Sequence, residues 1–312
     1  MNWLQNLPDY LVLGLTRGSM YALVALGYTL VYGVLQLINF AHSEVFMAGA
    51  FGSYLVVSQL APGEHGFLGA SMIVLAGLLT GAIVSALIAW TLELVAYKPL
   101  RQRGAPKLAF LISAIGMSFF LVQLFGKLFN RFSGNPFPEN YLDKNAPVLE
   151  LGGVTVTRIQ VIIIVAALLT MILLDRIVNG TKLGRSIRAV AEDAPTAALM
   201  GINIDRTISR TFLIGGALAG VAGFLFGQAF GFGNTMGFDQ GVKAFAAAVL
   251  GGIGNLRGAM MGGLLLGIVE AIVPPLPFIG IEWTDVVAFV VLVAILVFRP
   301  TGLLGEKLGR AA

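Results

Sequence analysis

The chain has 312 residues, of which 57% are hydrophobic and only 12% are charged, and its formal net charge is +4. A soluble domain carries about 25% charged residues, so this composition excludes an ordinary soluble protein and indicates a polytopic membrane protein. There is no cysteine, which excludes disulfides, thiolate nucleophiles and thiolate metal sites.

Nine hydrophobic segments follow one another along the chain, and several reach the ~20 residues that cross ~30 Å of hydrocarbon. They lie near residues 10–35, 41–60, 67–95, 108–129, 159–177, 209–230, 240–254, 258–275 and 284–298. We predict an all-α polytopic membrane protein with eight or nine hydrophobic segments, some of them broken or re-entrant. Residues 1–312 are expected to form a single transmembrane domain.

Two polar interruptions divide these segments, the first at 35–44 and the second at 250–258. Each contains an asparagine and is followed by a helix of small residues, so we predict an internal repeat with a pathway at its interface. An ordinary short turn between two spans is the alternative for each interruption. The residues expected to border the pathway are Asn39, His42, Glu44, Gly251, Gly252 and Asn255.

Small residues recur at intervals of four in two of the segments. Because lipid supplies little hydrophobic drive between helices, small residues that allow close approach favour association, and we expect these ridges to be packing surfaces. The ridges are Gly77, Gly81, Ser85 and Ala89 in one segment, and Gly215, Ala219, Gly223, Gly227 and Gly231 in the other.

Lysine and arginine are concentrated in three places: four in 98–107, six in 176–210 and three in the tail from Arg299 onward. Cytoplasmic loops of membrane proteins are enriched in these residues. We therefore expect all three stretches and the C-terminus to be cytoplasmic, and the N-terminus to be outside. The same bias explains the positive net charge without a nucleic-acid partner.

The loop at 131–157 is expected to lie on the outer side. Residues 149–156 alternate around the pair Gly152-Gly153, a pattern that predicts a β-hairpin. Such a hairpin would form either an outer docking surface or a passive cap.

Several ionisable side chains lie within or beside the hydrophobic segments, where charge is costly. Lys243 is expected to pair with Asp239, one helical turn away. Glu93 is expected at the membrane interface. Arg17 is expected either to extend outward to the interface or to pair with an acid such as Glu270 or Asp285.

The sequence contains no motif for enzymatic chemistry. The only two histidines, His42 and His65, are far apart in the chain, so there is no HExxH or histidine-rich metal site. Neither GxSxG nor GxxxxGK[ST] occurs, so neither a serine-hydrolase elbow nor a nucleotide-binding P-loop is expected. We predict that the protein is not an enzyme and holds no cofactor or metal ion.

The stretch 179–209, between the fifth and sixth segments, is polar but capable of forming helices. Residues 183–191 place apolar side chains on one face and two arginines on the other. Asp193 is expected to cap a second short helix that ends at Gly201, and Asp205 to cap the next span. This helix pair is too small to bury its own apolar face, so we expect it to enter a groove on a partner protein rather than to lie on the bilayer surface.

The sequence RAVAEDAPTAALMGIN at 188–203 resembles the cytoplasmic coupling segment of ABC importer permeases, in particular the shorter membrane subunit of the branched-chain amino-acid uptake family. Matching stretches elsewhere are GSMYALVALG at 18–27, INFAH at 38–42, AAVLGGIGN at 247–255 and RPTGLLG at 299–305. They follow one another in family order over almost the whole chain.

This resemblance implies a permease domain that works with a second related permease subunit, two cytoplasmic ATPase subunits and a periplasmic solute-binding protein in a bacterial inner membrane. It implies ATP-driven import of branched-chain or other hydrophobic amino acids. The alternatives are a permease of the same family for urea or short amides, a channel or secondary carrier that works alone, and a membrane scaffold. The residues expected to dock the ATPase are Arg185, Arg188, Glu192, Asp193 and Gly201.

Overall fold

A computed structural model of the chain describes residues 3, 6–61, 66–132, 146–151, 154–233, 235–276 and 279–305. The long helices are α1 (Leu7–Leu35), α2 (His42–Leu60), α3 (Phe67–Leu92), α5 (Lys107–Phe132), α6 (Arg158–Gly180), α9 (Ile204–Phe230), α10 (Met236–Gly251), α11 (Leu256–Ile272) and α12 (Thr284–Phe298). The short ones are α4 (Lys98–Gln102), α7 (Lys182–Glu192) and α8 (Ala194–Leu199), with a 3-10 turn at Ile281–Trp283.

Each of the nine predicted hydrophobic segments coincides with one long helix, which confirms an all-α membrane fold. Five of the described helices are long and apolar enough to cross a bilayer, and α12 is a shorter apolar helix. The third segment extends further than predicted, because α3 continues through a π-helix (Glu93–Tyr97) into α4. Single-turn π-helices within α-helices are frequent at functional sites.

Side-chain caps fix the starts of three helices that follow turns. Thr181, Asn203 and Asn255 each accept a hydrogen bond from a first-turn backbone N–H of α7, α9 and α11, respectively. The prediction that Asp205 caps α9 is wrong. Asn203 lies two residues earlier and takes that role, so Asp205 falls inside the first turn and its carboxylate is available for another partner.

Two short strands precede α6. β1 (Pro147–Leu151) and β2 (Val154–Thr157) pair antiparallel, with Leu149 opposite Val156. They lie against the start of α1, where the backbone N–H of Thr155 donates to Asp9 Oδ1 at 3.3 Å. Within the predicted loop 131–157, residues 133–145 and 152–153 lie outside the described part of the chain.

The predicted α3 ridge is a packing surface, but on α9 it meets Gly216 and Gly220 and not the predicted ridge. Gly215 of the predicted α9 ridge faces Gly27 of α1, and Gly223 faces Phe46 of α2. An added Cβ at Gly220 of α9 would overlap the carbonyl oxygen of Gly81 on α3, so the two backbones are in direct contact. A second contact of this kind joins α1 to α11, where a Cβ at Gly18 would lie 2.8 Å from the Cα of Leu264. Side chains larger than glycine would force these helix pairs apart.

Two three-helix units, α1–α2–α3 and α9–α10–α11, share one pattern of neighbours. α1 of the first unit packs against α11, and its counterpart α9 packs against α3. α2 lies between α3 and α9, and its counterpart α10 lies between α11 and α1. The corresponding helices also contact each other, α1 with α9 and α2 with α10. The set of helix contacts therefore stays the same when each helix is replaced by its counterpart in the other unit. α1 and α9 are antiparallel, with Arg17 beside Phe230 and Gly27 beside Gly215. The units therefore form an inverted repeat.

This repeat differs in one respect from the predicted one. The interruption at 35–44 joins α1 to α2 and corresponds to the junction between α9 and α10. The interruption at 250–258 joins α10 to α11 and corresponds to the junction between α2 and α3. The two asparagine-containing stretches look alike in sequence because both precede a helix start, yet they occupy different positions in the repeat.

The described residues of the three basic stretches lie at one end of the helix bundle. α7 packs against α1 and α6, and Arg101 of α4 pairs with Asp205 of α9. Arg257 at the start of α11 lies 3.7 Å from Asp175 near the end of α6, and the stretch 299–305 packs on the neighbouring turn after α10. The hairpin and the start of α1 lie at the opposite end.

Candidate functional site

The predicted coupling segment (179–209) contains the two helices expected from its sequence, α7 and α8, joined at Asp193. Ile187 and Val190 are buried against the bundle. The carboxylate of Asp193 caps α8 by accepting hydrogen bonds from the hydroxyl of Thr196 at 2.5 Å and from its backbone N–H at 3.2 Å. These hydrogen bonds hold the pKa of the Asp193 carboxyl below its ordinary value, so the cap is charged at neutral pH.

α7 is anchored on the end of α6 by Gly184 and Arg188. An added Cβ at Gly184 would overlap the carbonyl oxygen of Val178. The Arg188 guanidinium donates to that same carbonyl and, at 3.3 Å, to the side-chain oxygen of Asn179. Arginine near a helix C-terminus satisfies carbonyl groups that have no partner within the helix. Arg188 therefore positions α7 through these hydrogen bonds, and both it and Arg185 are exposed.

The surface of the coupling segment that faces away from the bundle combines charge with two large apolar side chains. Glu192 is exposed, and the chain turns at Gly201 with a φ of +82°. Leu199 is 88% exposed and Met200 is 79% exposed. Two adjacent large apolar side chains therefore project from this polar segment between two spans.

A charged cluster links the start of α9 to the extension of α3. Arg101 Nη2 lies 2.7 Å from Asp205 Oδ1 and 2.9 Å from Glu93 Oε1. The hydroxyl of Ser209 donates to Glu93 Oε2 at 2.6 Å. Glu93 is fully buried within the bundle, and its location at the membrane interface stays a prediction. The helix continues beyond it through α4, and this brings Arg101 back to neutralise its charge.

The same π-helix also contacts the first interruption. The hydroxyl of Tyr97, its last residue, donates to Asn39 Oδ1 at 2.7 Å, and that oxygen accepts the backbone N–H of Ala41 at 3.1 Å. Asn39 and Tyr97 are both buried. A continuous series of polar contacts therefore runs from the start of α9 through the π-helix to the segment that precedes α2.

The first interruption returns into the bundle before α2 begins. The ring of His42 lies against Gly27 and Tyr28, two turns before the end of α1, with 4.7 Å between the His42 and Tyr28 ring centroids. Glu44, in the first turn of α2, is fully buried and faces Gly237 in the first turn of α10. The predicted broken segment is confirmed, and it meets the start of α10.

Two narrow cavities lie near this junction. The first is lined by apolar side chains of α2, α5 and α10 and by the α9–α10 junction, and the second by residues of α1, α10 and both interruptions. The first is lined by Met47, Phe51, Phe125, Phe129, Phe232, Gly233 and Met236. The second is lined by Tyr28, Tyr32, Ile38, Asn39, Phe245, Ala248 and Ile253.

The other three predicted pathway residues have structural contacts at the turn after α10. Asn255 caps α11 and donates to the carbonyl oxygen of Leu304 at 2.8 Å, while the N–H of Leu304 donates to Gly251 at 3.0 Å. Gly252 has a φ of +106° and faces the backbone of Gly305. These residues hold the stretch 299–305 against the turn, and Asn39, His42 and Glu44 lie together elsewhere.

A second charged cluster joins α1, α10, α11 and α12. Lys243 forms ion pairs with Glu270 and, at 2.7 Å, with Asp285, and the hydroxyl of Tyr21 donates to Glu270 at 2.6 Å. The predicted pair of Lys243 with Asp239 is therefore wrong. Glu270 is buried and needs a counter-charge, whereas Asp239 is exposed.

Arg17 forms no ion pair with an acid of the described chain, and its extension toward the interface stays a prediction. Its guanidinium lies over the ring of Phe230, 5.8 Å from the centroid, in a cation–π contact. Its expected partner Glu270 is occupied by Lys243.

The sequence profile of a protein family described as "Branched-chain amino acid transport system / permease component" matches residues 10–296, which run from α1 into α12. The chain belongs to this permease family. The matched region takes in the coupling segment, both interruptions and both charged clusters. The permease is accordingly a multi-pass membrane protein.

Named permeases are similar to this one over nearly its full length. The high-affinity branched-chain amino acid transport system permease protein BraD of Pseudomonas aeruginosa is 44% identical over 95% of each chain. The protein of the same description from Escherichia coli, LivH, is 41% identical over 94% of each chain. A solved metal-chelate type ABC transporter in an inward-facing conformation aligns over 93% of this chain and 87% of that chain, with 16% identity and a TM-score of 0.47.

Proposed function

We propose that this permease is the membrane-spanning subunit of an ATP-driven ABC importer for branched-chain or other hydrophobic amino acids in a bacterial inner membrane. The observation that carries the proposal is the projecting pair α7–α8 in a member of the branched-chain permease family. Solute uptake against a gradient needs an energy source, and this sequence has no P-loop with which to bind a nucleotide. A partner that binds at α7–α8 supplies that energy.

The partners are a second related permease subunit, two ATPase subunits and a periplasmic solute-binding protein. The end of the bundle that carries the three basic stretches faces the cytoplasm, because lysine and arginine accumulate on that side of membrane proteins. This orientation places α7–α8 and the C-terminus in the cytoplasm beside the ATPases, and the hairpin of β1 and β2 on the periplasmic side.

Docking of the ATPase centres on Leu199 and Met200, which enter an apolar groove of the partner. Exposed Arg185 and Glu192, with Asp193, form a polar rim around them. Buried apolar anchors surrounded by polar contacts are the usual source of interface affinity. Gly201 lets the chain turn back sharply into α9, since its positive φ is costly for other residues.

Motion of α7–α8 reaches the pathway through the polar series described above. The coupling segment leads directly into the first turn of α9, where Asp205 holds Arg101. Arg101 binds Glu93 at the start of the π-helix, and Tyr97 at its end binds Asn39 beside α2. A shift of α9 is therefore transmitted to the helix starts that flank the cavities.

The proposed function is tested by reconstituting the complete complex in proteoliposomes with its binding protein and internal ATP. We expect accumulation of labelled leucine and valine that requires both ATP and the binding protein, with no accumulation of urea. Uptake against a gradient by this permease without partner subunits, or uptake of urea in place of leucine, would contradict the proposal.

Replacing both Leu199 and Met200 by serine is expected to weaken ATPase binding by at least about 30-fold, because central apolar anchors contribute about 2 kcal/mol or more. Co-purification of the ATPase with the permease and substrate-stimulated ATP hydrolysis measure the effect. Val148→Ser, at an exposed apolar position on β1 at the other end, is the matched control and should leave both unchanged. Equal ATPase binding by the double variant and the wild type would show that Leu199 and Met200 do not contribute to the interface.

A further inference from the structure

We propose that Glu44 anchors a substrate site inside the permease, where its carboxylate binds the ammonium group of an amino acid. The apolar side chain of that amino acid enters the first cavity. This inference rests on the proposed function and adds to it a defined recognition site, so that the permease itself selects for a positively charged amine next to an apolar group.

The Glu44 carboxylate is incompletely partnered. Its Oε1 accepts a hydrogen bond from the hydroxyl of Ser118 at 3.2 Å. The Ser43 hydroxyl lies 3.4 Å from the same oxygen, but it also donates to the carbonyl oxygen of Phe40 at the shorter distance of 2.8 Å. Its Oε2 has no hydrogen-bond partner among the described residues, although the side chain is fully buried. A buried carboxylate with a free oxygen is unfavourable until a donor reaches it.

No cation of the described chain supplies that donor. Neither lysine nor arginine lies within 4.0 Å of Glu44 in the part of the chain that the structure describes. α5 presents Ser118 and α10 presents the backbone of Gly237, both uncharged. The other buried acids differ, since Glu93 is paired with Arg101 and Glu270 with Lys243. Glu44 thus stands apart as the buried acid whose counter-ion is external, and an ammonium group brings both the charge and three donors.

On α2, α5 and α10, residues that line the first cavity lie close in sequence to Glu44 or to the residues that contact it. Met47 follows Glu44 by one turn of α2, and Phe125 follows Ser118 by two turns of α5. Met236 immediately precedes Gly237 on α10. A ligand whose charged group reaches Glu44 therefore has its apolar portion among methionine and phenylalanine side chains.

The cavity is narrow in this conformation, and Met47 and Met236 are part of its lining. Methionine side chains are unbranched and flexible, so they move aside for apolar groups of different shape more readily than branched residues do. This suits a site that accepts several aliphatic side chains and closes when it is empty.

The position within the repeat supports a transport role. Glu44 and Gly237 face each other where α2 of one unit meets α10 of the other, and the first turns of both helices converge there. Inverted-repeat transporters place their substrate sites at such interfaces, where interrupted helices meet. The second cavity, beside Asn39, lies toward the coupling segment and offers the exit route.

The site predicts a definite ligand class. A compound needs a primary ammonium group and a branched aliphatic side chain of three or four carbons. 3-Methylbutylamine, which is leucine without its carboxylate, should compete for the site. 4-Methylpentanoate, which is leucine without its amine, should not, because its carboxylate would meet Glu44 with like charge.

The test is equilibrium binding of labelled leucine to the purified complex of permeases and ATPases, without the binding protein. We expect saturable binding, competition by 3-methylbutylamine and at least tenfold weaker competition by 4-methylpentanoate. Glu44→Gln should weaken leucine binding about tenfold or more, as expected for the loss of a hydrogen bond between charged groups. Asp239→Asn, which removes an exposed acid on α10 close to Gly237, is the matched control and should bind leucine like wild type.

The results of these experiments distinguish failure of the Glu44 site from failure of the proposed importer function. If the wild-type complex takes up leucine in proteoliposomes but Glu44→Gln binds and transports leucine equally well, the site is overturned and the importer function stands. Equal competition by the two leucine analogues also overturns the site, and this comparison needs no variant to assemble. If the wild-type complex moves no amino acid at all, the proposed function itself fails.

Discussion

Gly220→Val is expected to prevent the permease from folding correctly. The Cβ and two methyl groups would overlap the carbonyl oxygen of Gly81, where the backbones of α9 and α3 touch. Neither backbone atom can move without separating the helices, so we expect destabilisation of at least about 3 kcal/mol, at the upper end of the overpacking range. Size-exclusion chromatography in detergent should show aggregated or greatly reduced protein.

Gly116→Val provides the matched control for this substitution. Gly116 lies in the middle of α5, is exposed, and has no atom within 4 Å of an added Cβ among the described residues. The variant should elute as wild type does, because valine has a slightly better helix propensity than glycine. Equal behaviour of Gly220→Val and Gly116→Val would mean that α3 and α9 are not in backbone contact.

Arg101→Met is expected to have the second large effect. It leaves Glu93 buried and without a cation, which costs about 3–5 kcal/mol when one partner of a buried ion pair is removed. It also disconnects Asp205, at the start of α9, from the π-helix. We expect a lower thermal midpoint of unfolding and loss of the stimulation of ATP hydrolysis by the loaded binding protein.

A double variant separates these two consequences. Glu93→Gln combined with Arg101→Met removes the unpaired charge, so thermal stability should largely return while the stimulated ATP hydrolysis stays low. Arg103→Met, at an exposed position two residues further on, is the control and should change neither measurement. Recovery of full stimulation in the double variant would show that the contact between α9 and the π-helix does not carry the coupling.

Much of this fold could be predicted from the sequence because its determinants are local. Apolar runs specify the nine long helices, and the capped pair α7–α8 follows from Asp193 and Gly201 at its turns. The small-residue ridges also predict that α3 and α9 pack closely, since small residues every four positions let helices approach, but the α9 face that meets α3 carries Gly216 and Gly220 and not the predicted ridge. Each of these signals lies within one turn or one helix.

The charged clusters could not be predicted in the same way, because their partners come from distant helices. Lys243 has an acid four residues before it in sequence, but the structure gives it Glu270 from α11. Arg101 looks like an ordinary loop residue until the helix is known to extend through the π-helix, which places it beside Asp205. The presence of several charges within neighbouring spans did signal that partners exist, without indicating which ones.

The predicted site residues were separated by the fold for a similar reason. Asn39, His42 and Glu44 are brought together because the first interruption turns back into the bundle. Gly251 and Asn255 show a comparable pattern of small and polar residues, but these two residues form a tight turn that receives the C-terminal stretch 299–305, while Ile253 between them lines the second cavity. Sequence alone does not distinguish the residues of an interruption that line a cavity from those that pack against another segment.

If α7–α8 links the permease to its energy source, the exposed tip of the coupling segment must touch the ATPase. The chain has no cysteine, so Met200→Cys introduces a unique thiol at this tip, and Val148→Cys introduces one at the opposite end. With a short thiol-to-lysine cross-linker on the assembled complex, we expect a permease–ATPase product from Met200→Cys alone, with a yield that changes on ATP binding. A product from Val148→Cys, or none from Met200→Cys in a complex that hydrolyses ATP, would contradict the account.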